Sequence, residues 1–561
     1  MSNNKSLSFL VKNVCLPTIM LSVFSLQNGI SQEDLPSGKV EVIKNYDAKL
    51  FDAEKLPLQG LLPNDDGIEK EYKYELNPLS RDKKMDIKYD APNIRPVTMS
   101  AEKLPESYKG YLKLGSGYPA SAFLEGAYSH TNQKSYFIDI FGKHYGIFSS
   151  PRESQVFSET SLGVSGTNYL EAGVAVNAHV GLDLNNYRFF GGYNEGDTIF
   201  PGDPAKRKFT NIGAGLKIFN SKKNSNDIDF WAGFDIYGYK DNFAATERGF
   251  GLDIGATKWI ADKHNFTLQI TNSLLAYGDT EKGKTNNVNI KPSFTFHGDV
   301  FKIKLGVNLV NSPEGFGFFP DLEASANIAG PSIMVFAGAA GDMYQNSFKR
   351  VSTLNPFVQT HFAEAAVTQV GEGPFNTKYY DFYGGIGGGF KSIKYRIKAG
   401  YKTNDNYALF IQQATDLRQF DILVDDVNII YIGGELSATF FEKLTTSVNF
   451  LQQGASPRVQ AKAYGIVPFQ LGFNASWLTF EDKFRLKGDL NIASGSPYRN
   501  RFGSVGNGNP LFDLSLRGEY YFTEKFGAFL GLNNVASVKY QRWYRYPSYG
   551  FNVLGGISVR F

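Results

Sequence analysis

Residues 483–492 read Lys483-Phe484-Arg485-Leu486-Lys487-Gly488-Asp489-Leu490-Asn491-Ile492. Phe484, Leu486, Leu490 and Ile492 share one parity, while Lys483, Arg485, Lys487, Asp489 and Asn491 share the other. Successive side chains of a strand point to opposite faces, so a period of two predicts a strand with one greasy and one wet face. The split recurs in Phe301/Ile303/Leu305/Val307/Leu309 against Lys302/Lys304/Asn308, and in Ile393/Tyr395/Ile397/Tyr401 against Lys394/Arg396/Lys398. It returns in Ile228/Phe230/Phe234/Ile236 against Asp229/Asp235, and in Phe512/Leu514/Leu516 against Asp513/Ser515/Arg517/Glu519. A soluble sandwich alternates too, but its polar parity faces out and it needs two facing sheets. In a membrane barrel the apolar parity meets lipid and the charged parity meets a wet lumen.

Composition favours the barrel. The 561 residues include 47 Phe, 32 Tyr and 58 Gly, and mean hydropathy is only -0.27. That profile fits transmembrane strands and argues against a polytopic helical protein. Lys and Arg exceed Asp and Glu by 58 to 55, which leaves no basic field for nucleic acid.

The chain divides into three. Lys5 and Lys12 precede an apolar run from Val14 to Leu26, and Gly29-Ile30-Ser31-Gln32 follows. This predicts a secretory signal peptide over 1–31, cleaved near Ser31. Cys15, the only cysteine, lies within it. A chain cleaved there has no disulfides, thiolate metal sites or cysteine nucleophiles. Residues 32–107 carry Pro57, Pro63, Pro78, Pro92, Pro96 and Pro105. Prolines this frequent exclude long helices and central strands, so an extended periplasmic arm is expected.

From Tyr108 to Phe561 alternation persists and connections differ in length. Short ones are read at Thr167-Asn168, Ala261 to Asn265, Gly298-Asp299, Gly330-Pro331, Lys391-Ser392, Glu442-Lys443, Glu481-Asp482 and Thr523-Glu524. Long ones are read at Gly192 to Lys206, Asp342 to Asn376, Asn404 to Phe420, Pro497 to Gly508 and Arg542 to Ser548. The expectation is an all-β fold, a transmembrane antiparallel barrel of about 22 strands over 108–561, with a short N-terminal periplasmic arm. Both chain ends then fall on the short-turn, periplasmic side. Tyr520, Phe522, Phe526 and Tyr544 are expected in interfacial girdles. The final strand is expected to carry Tyr549, Phe551, Val553, Ile557, Val559 and Phe561 on one parity.

With its leader, strand count and terminal Arg560-Phe561, the chain resembles the barrels of TonB-dependent receptors, particularly divergent ones from Bacteroidota. The resemblance implies an outer-membrane location and a role in uptake. The family fills its lumen with an N-terminal plug, whereas residues 32–107 are short and lack a plug's glycine-rich texture. Val40-Glu41-Val42-Ile43 is where a TonB-box-like stretch is sought. The chain thus resembles a plug-less relative, and a barrel this wide must be closed by something. The arm folding up into the lumen, the long loop Asp342–Asn376 folding in from outside, or a partner can supply the closure. Inward folding of the loop together with packing of the arm is the leading expectation.

No chemical constellation emerges. His130, His144, His179, His264, His297 and His361 are scattered and read as lumen or turn residues. Gly163-Val164-Ser165-Gly166 is not a nucleophile elbow, and Gly384 to Gly389 lacks the Lys-Ser/Thr and helix of a phosphate cradle. Asn64-Asp65-Asp66-Gly67 reads as a turn rather than a calcium loop. Asp416, Asp421, Asp425 and Asp426 form an acidic patch, read as solvated loop charge ahead of a divalent-cation site. Lumenal Lys and Arg either favour anionic solutes or pair with lumenal carboxylates. No catalytic, cofactor or metal residue is assigned. Expected partners are outer-membrane lipid, lipopolysaccharide, and envelope proteins met through residues 32–107 and the exterior loops. Two functions compete: an accessory subunit of an outer-membrane assembly or secretion complex, and a nutrient uptake channel or receptor with partner-assisted or TonB-linked gating.

Overall fold

The computed structural model describes residues 108–132, 135–152, 154–191, 206–278, 282–359, 374–480 and 482–561. The signal peptide, Cys15, the arm with Val40–Ile43 and Asn64–Gly67, and His361 lie outside the described residues.

Strands are numbered here within the closed sheet alone. In chain order they are β1 (Gly110–Tyr118), β2 (Ser121–Asn132), β3 (Tyr136–Ile147), β4 (Phe157–Tyr169), β5 (Val174–Arg188) and β6 (Lys206–Asn220). Then follow β7 (Ile228–Asp241), β8 (Thr246–Ile260), β9 (His264–Gly278), β10 (Lys282–His297), β11 (Phe301–Ser312) and β12 (Gly315–Asn327). Next are β13 (Met334–Asn346), β14 (Phe375–Phe390), β15 (Ile393–Gln412), β16 (Phe420–Phe440) and β17 (Leu444–Pro457). Last are β18 (Phe469–Thr479), β19 (Phe484–Ala493), β20 (Leu511–Tyr521), β21 (Phe526–Asn533) and β22 (Asn552–Arg560).

Each strand pairs antiparallel with its sequence neighbours in one 22-stranded sheet. β1 closes the ring on β22, from Tyr111 opposite Arg560 to Tyr118 opposite Val553. Gly110 and Phe561 exchange backbone hydrogen bonds of 2.9 and 3.0 Å, which places both ends of the barrel at the short-turn rim. Closure leaves no unpaired sheet edge, the condition for strands in hydrocarbon.

Alternation decides which face is which. Leu112, Leu114, Ile138, Ile140, Leu162, Val164, Ile236, Ile254, Leu305, Leu516, Leu530 and Ile557 are exposed on the outer wall. An apolar belt of this extent is unfavourable in water and suits lipid. The opposite parity holds charge in pairs. Lys113 meets Glu519 at 2.8 Å, Lys304 meets Asp321 at 2.9 Å, and Lys398 meets Asp381 at 2.9 Å. The Tyr431 hydroxyl also donates to Asp381, at 2.8 Å. Of the two readings of the lumenal cations, pairing is the one these contacts fit.

Several boundaries differ from the sequence reading. Asn404–Phe420 is not one long loop: β15 runs on to Gln412, leaving only 413–419 as connection. The register shifts between Asn404 and Tyr407, where Asn406 takes a φ of 58°. That bulge absorbs residues which break the alternation and so looked like loop. Thr167-Asn168 belongs to β4, and the turn lies after Tyr169. Pro497–Gly508 and Arg542–Ser548 each contain a small hairpin, Pro497–Arg499 with Val505–Asn507 and Gln541–Trp543 with Tyr546–Pro547. Tyr544 stacks on Tyr498 at 4.1 Å between two long connections, so it is no girdle residue, whereas Tyr520, Phe522 and Phe526 are exposed at the short-turn rim. Tyr549 likewise precedes β22 and donates its hydroxyl to the Gln155 carbonyl.

Candidate functional site: a cap across the long-loop mouth

The connection after β13 begins Asn346-Ser347-Phe348-Lys349-Arg350-Val351-Ser352-Thr353-Leu354-Asn355-Pro356. Ser347 accepts from the Arg350 amide at 3.1 Å, an N-cap that starts helix α1 (Phe348–Leu354). Pro356 disfavours helical backbone at Asn355, and the helix stops there. Phe348, Val351 and Leu354 recur every three residues and so share a face. Phe348 and Val351 are fully buried, and Leu354 packs at their edge.

That face docks on the inner wall of β6 to β9. The Phe348 ring lies 5.5 Å from Tyr239, 5.7 Å from Tyr277 and 6.3 Å from Phe209. Polar contacts fix its register. Glu247 of β8 accepts from the Phe348 and Lys349 amides at 2.6 and 3.3 Å, and from the Tyr237 hydroxyl at 2.8 Å. A carboxylate at free amides of a first helical turn is a charge-assisted contact, which makes the burial of Glu247 tolerable. Tyr239 and Ser352 hydroxyls bond at 2.7 Å, and Ser273 donates to Gln345 at 2.6 Å. The Lys349 ammonium lies 4.2 Å from the Tyr237 ring centroid. Burial pulls its pKa below the usual lysine value, against the upward pull of Asp183 and Glu247.

Beyond the helix the chain crosses to other walls. The Val358 carbonyl accepts from Arg207 of β6 at 3.0 Å, and Arg207, 1% exposed, also meets Asp241 of β7 at 3.3 Å. Val358 bridges to Phe420 of β16, and Phe357 and Gln359 exchange backbone bonds with Phe420 at 3.0 Å each. Phe357 stacks on Tyr546 at 3.7 Å, in the connection between β21 and β22. Phe190 abuts Tyr546 at 4.9 Å, and Trp543 abuts Phe410 of β15 at 5.0 Å. Strands 6–9, 15–16 and 21–22 are well separated around a ring of 22, so one segment ties three sectors of the rim together. The aromatic rings of this layer bury one another across the three sectors.

Gly191 shows how tightly the layer closes, since a Cβ there would sit 2.3 Å from the Tyr546 ring. Gly191→Val is therefore expected to displace Tyr546 and loosen the cap by about 1–3 kcal/mol. Limited proteolysis between 347 and 359 should be faster by about tenfold, and an unchanged cleavage rate would refute the packing assignment.

The remaining candidates resolve plainly. Asp416 is held by Arg418 at 2.9 Å, Asp425 accepts from the Val459 and Gln460 amides at 3.0 and 2.8 Å, and Asp426 meets Arg458 at 3.2 Å. These three carboxylates serve internal contacts, and among the described residues no group of three His, Cys, Asp or Glu side chains is placed to hold a metal ion. His144 bonds Thr160 at 2.8 Å, His179 lies 3.2 Å from Asp235, and His264 stacks on Phe296 at 4.3 Å. His130 lies on β2 beside Tyr128 and Tyr136, and His297 on β10. Gly163–Gly166 lies within β4, and Gly384–Gly389 within β14. There Gly385 lets the Phe336 ring pack over the backbone, where a Cβ would sit 2.5 Å from it. The cap residues Phe348, Val351, Phe357, Val358, Glu247 and Arg207 were not singled out from sequence. Ser347 as N-cap, the three-residue apolar spacing and the Asn355-Pro356 stop were the available signals.

No protein-family model matches the chain, and no curated protein matches it. Solved structures do. The pyoverdine outer membrane receptor FpvA from Pseudomonas aeruginosa PAO1, bound to pyoverdine, shares 12% identity, with 82% of this chain and 79% of that chain covered and a TM-score of 0.62. The siderophore receptor PirA from Pseudomonas aeruginosa shares 12%, covers 81% and 80%, and scores 0.56. The FrpB iron transporter from Neisseria meningitidis shares 9%, covers 82% of each, and scores 0.64. Likeness at such identity is likeness of fold, and the chain has the closed-barrel fold of these outer-membrane proteins.

Proposed function

We propose that this protein is a plug-less outer-membrane barrel, kept shut at its exterior mouth by its own inward-folded loop, that serves as the membrane-embedded subunit of an envelope assembly. The observation that carries this reading is the cap, in which Phe348, Val351 and Val358 have no solvent exposure and tie β6–β9 to β16 and the last connection. The apolar belt and the shared fold support the outer-membrane address, with the short turns in the periplasm. Paired lumenal charges such as Lys398–Asp381 support a structural interior more than an anion-selective path. The role is non-enzymatic. Residues 32–107 and the loops are the proposed docking regions for other envelope proteins.

The second reading is an uptake receptor, opened by a partner or by an energised periplasmic device. Its support is the fold shared with receptors described as binding pyoverdine or taking up iron. Gentle solubilisation followed by size-resolved co-purification separates the two. A stable complex of fixed stoichiometry is expected, and a solitary barrel at native abundance would sink the subunit reading in favour of the receptor.

A further inference from the structure

A small cavity lies between the ends of β18 to β20 and the connection that joins β21 to β22. Gln470, Ala493 and Leu511 are register partners across β18, β19 and β20, and they line it from the sheet. Tyr540, Gln541 and Arg542 line it from the connection, and exposed Asn509 completes the polar lining. No Asp or Glu takes part.

Arg542 carries the one charge of this lining, and that charge has no counter-ion. Its guanidinium donates to the Gly465 carbonyl at 2.8 Å and lies 4.9 Å from the Trp543 ring. Among the described residues it forms no ion pair. Burial pulls its pKa below the usual arginine value, and the groups opposing that pull are Tyr407 and Tyr540 rather than a carboxylate. Asp513, the carboxylate that acts on Tyr540, is already held by the Ser515 hydroxyl at 2.7 Å and the Asn534 amide at 3.1 Å. The Tyr540 hydroxyl and the Gln470 and Asn509 carboxamides also lack a hydrogen-bond partner among the described residues.

A cation taken out of water needs a counter-charge, and unpartnered N–H and O–H donors need an acceptor. One positive charge among neutral donors matches one negative charge, whereas a dianion would be left half neutralised. We infer that this cavity is a binding site for a small monovalent anion, held by Arg542 with Tyr540, Gln470 and Asn509. The bound ion ties the β21–β22 connection to the β18–β20 wall. Trp543, next in the chain, lies 5.0 Å from Phe410 and 5.8 Å from Phe420, so the site steadies the far anchor of the cap. The inference goes beyond the proposed function and holds whether the barrel serves an assembly or uptake.

The test uses the full chain, refolded in zwitterionic micelles, with Trp231→Phe/Trp259→Phe/Trp477→Phe leaving Trp543 as the fluorophore. Iodide is the probe, at ionic strength held constant with sodium gluconate, and heat-modifiable migration reports barrel folding separately. Quenching of buried Trp543 is expected to saturate with iodide and to be relieved by chloride or acetate. Stronger relief by chloride assigns an inorganic ion and stronger relief by acetate a carboxylate group, and both support the monoanion site. Arg542→Gln should raise the half-saturating iodide concentration by about tenfold or more, because it removes the charged donor. Tyr540→Phe keeps Arg542 and removes one neutral donor, so a rise of roughly threefold is expected. Arg501→Gln, at an exposed cation of the same rim, should leave the value unchanged. Linear, unsaturable quenching in the parent, or the parent's half-saturation in the folded Arg542→Gln and Tyr540→Phe variants, overturns the proposal. Better relief by sulfate than by either monoanion overturns it in favour of a dianion.

Discussion

Replacing residues 347–374 with an Asn-Gly turn is expected to convert a silent barrel into a steadily conducting one. Asn346 and Phe375 are register partners at the ends of β13 and β14, so a two-residue turn closes the hairpin without disturbing the sheet. The change removes Phe348, Val351, Phe357 and Val358, and with them the bridge between β6–β9, β16 and the β21–β22 connection. The remaining lumen is that of a 22-stranded cylinder, wide enough to carry water and ions unless filled. Planar-bilayer recordings should show baseline current for wild type and stable open-channel steps for the variant. Cells carrying the variant should admit large antibiotics that wild type excludes. A folded variant that stays silent would move the seal from the loop to another part of the chain, and the cap would lose its assigned role.

The second large effect is expected at Arg207. Its guanidinium, 1% exposed, joins the Val358 carbonyl at 3.0 Å to Asp241 at 3.3 Å and lies over Phe209 at 4.9 Å. Burial makes each charge costly, and the pair is tolerated only while both members are present, because one buried charge without its partner is strongly unfavourable. Arg207→Met is expected to weaken cap docking by about 3–5 kcal/mol, and Arg207→Met with Asp241→Leu should recover part of the loss. Hydrogen exchange of the Phe420 amide, which donates to the Phe357 carbonyl, and of the Gln359 amide, which donates to the Phe420 carbonyl, gives the readout. Acceleration by about a hundredfold or more in the single variant, and by less in the double, is the expected pattern. Additive effects of the two substitutions would show that the pair does not act as a unit.

Much of the barrel was legible because its physics is local. Lys483–Ile492 alternates because neighbouring side chains face lipid and water in turn, and β19 with its partners takes the expected parity. The reading erred where local rules bend. The bulge at Asn404–Tyr407 breaks the period inside a 20-residue strand, and Tyr544 looks like a girdle aromatic until its stack on Tyr498 is seen. The inward loop was expected as a whole, but its helix was not, because seven residues give too little periodicity beside longer strand signals.

Sequence alone settled the fold class, strand number and common rim of the two barrel ends, since alternation and connection length are properties of adjacent residues. Only the tertiary structure decided what closes the mouth. Phe348 and Glu247 are about a hundred positions apart, and Phe357 and Tyr546 nearly twice that, so nothing in their local sequence marks them as partners. Ring closure carries the two ends of the barrel segment to neighbouring strands and sets distant loops over one lumen, where burial of aromatic surface then joins them.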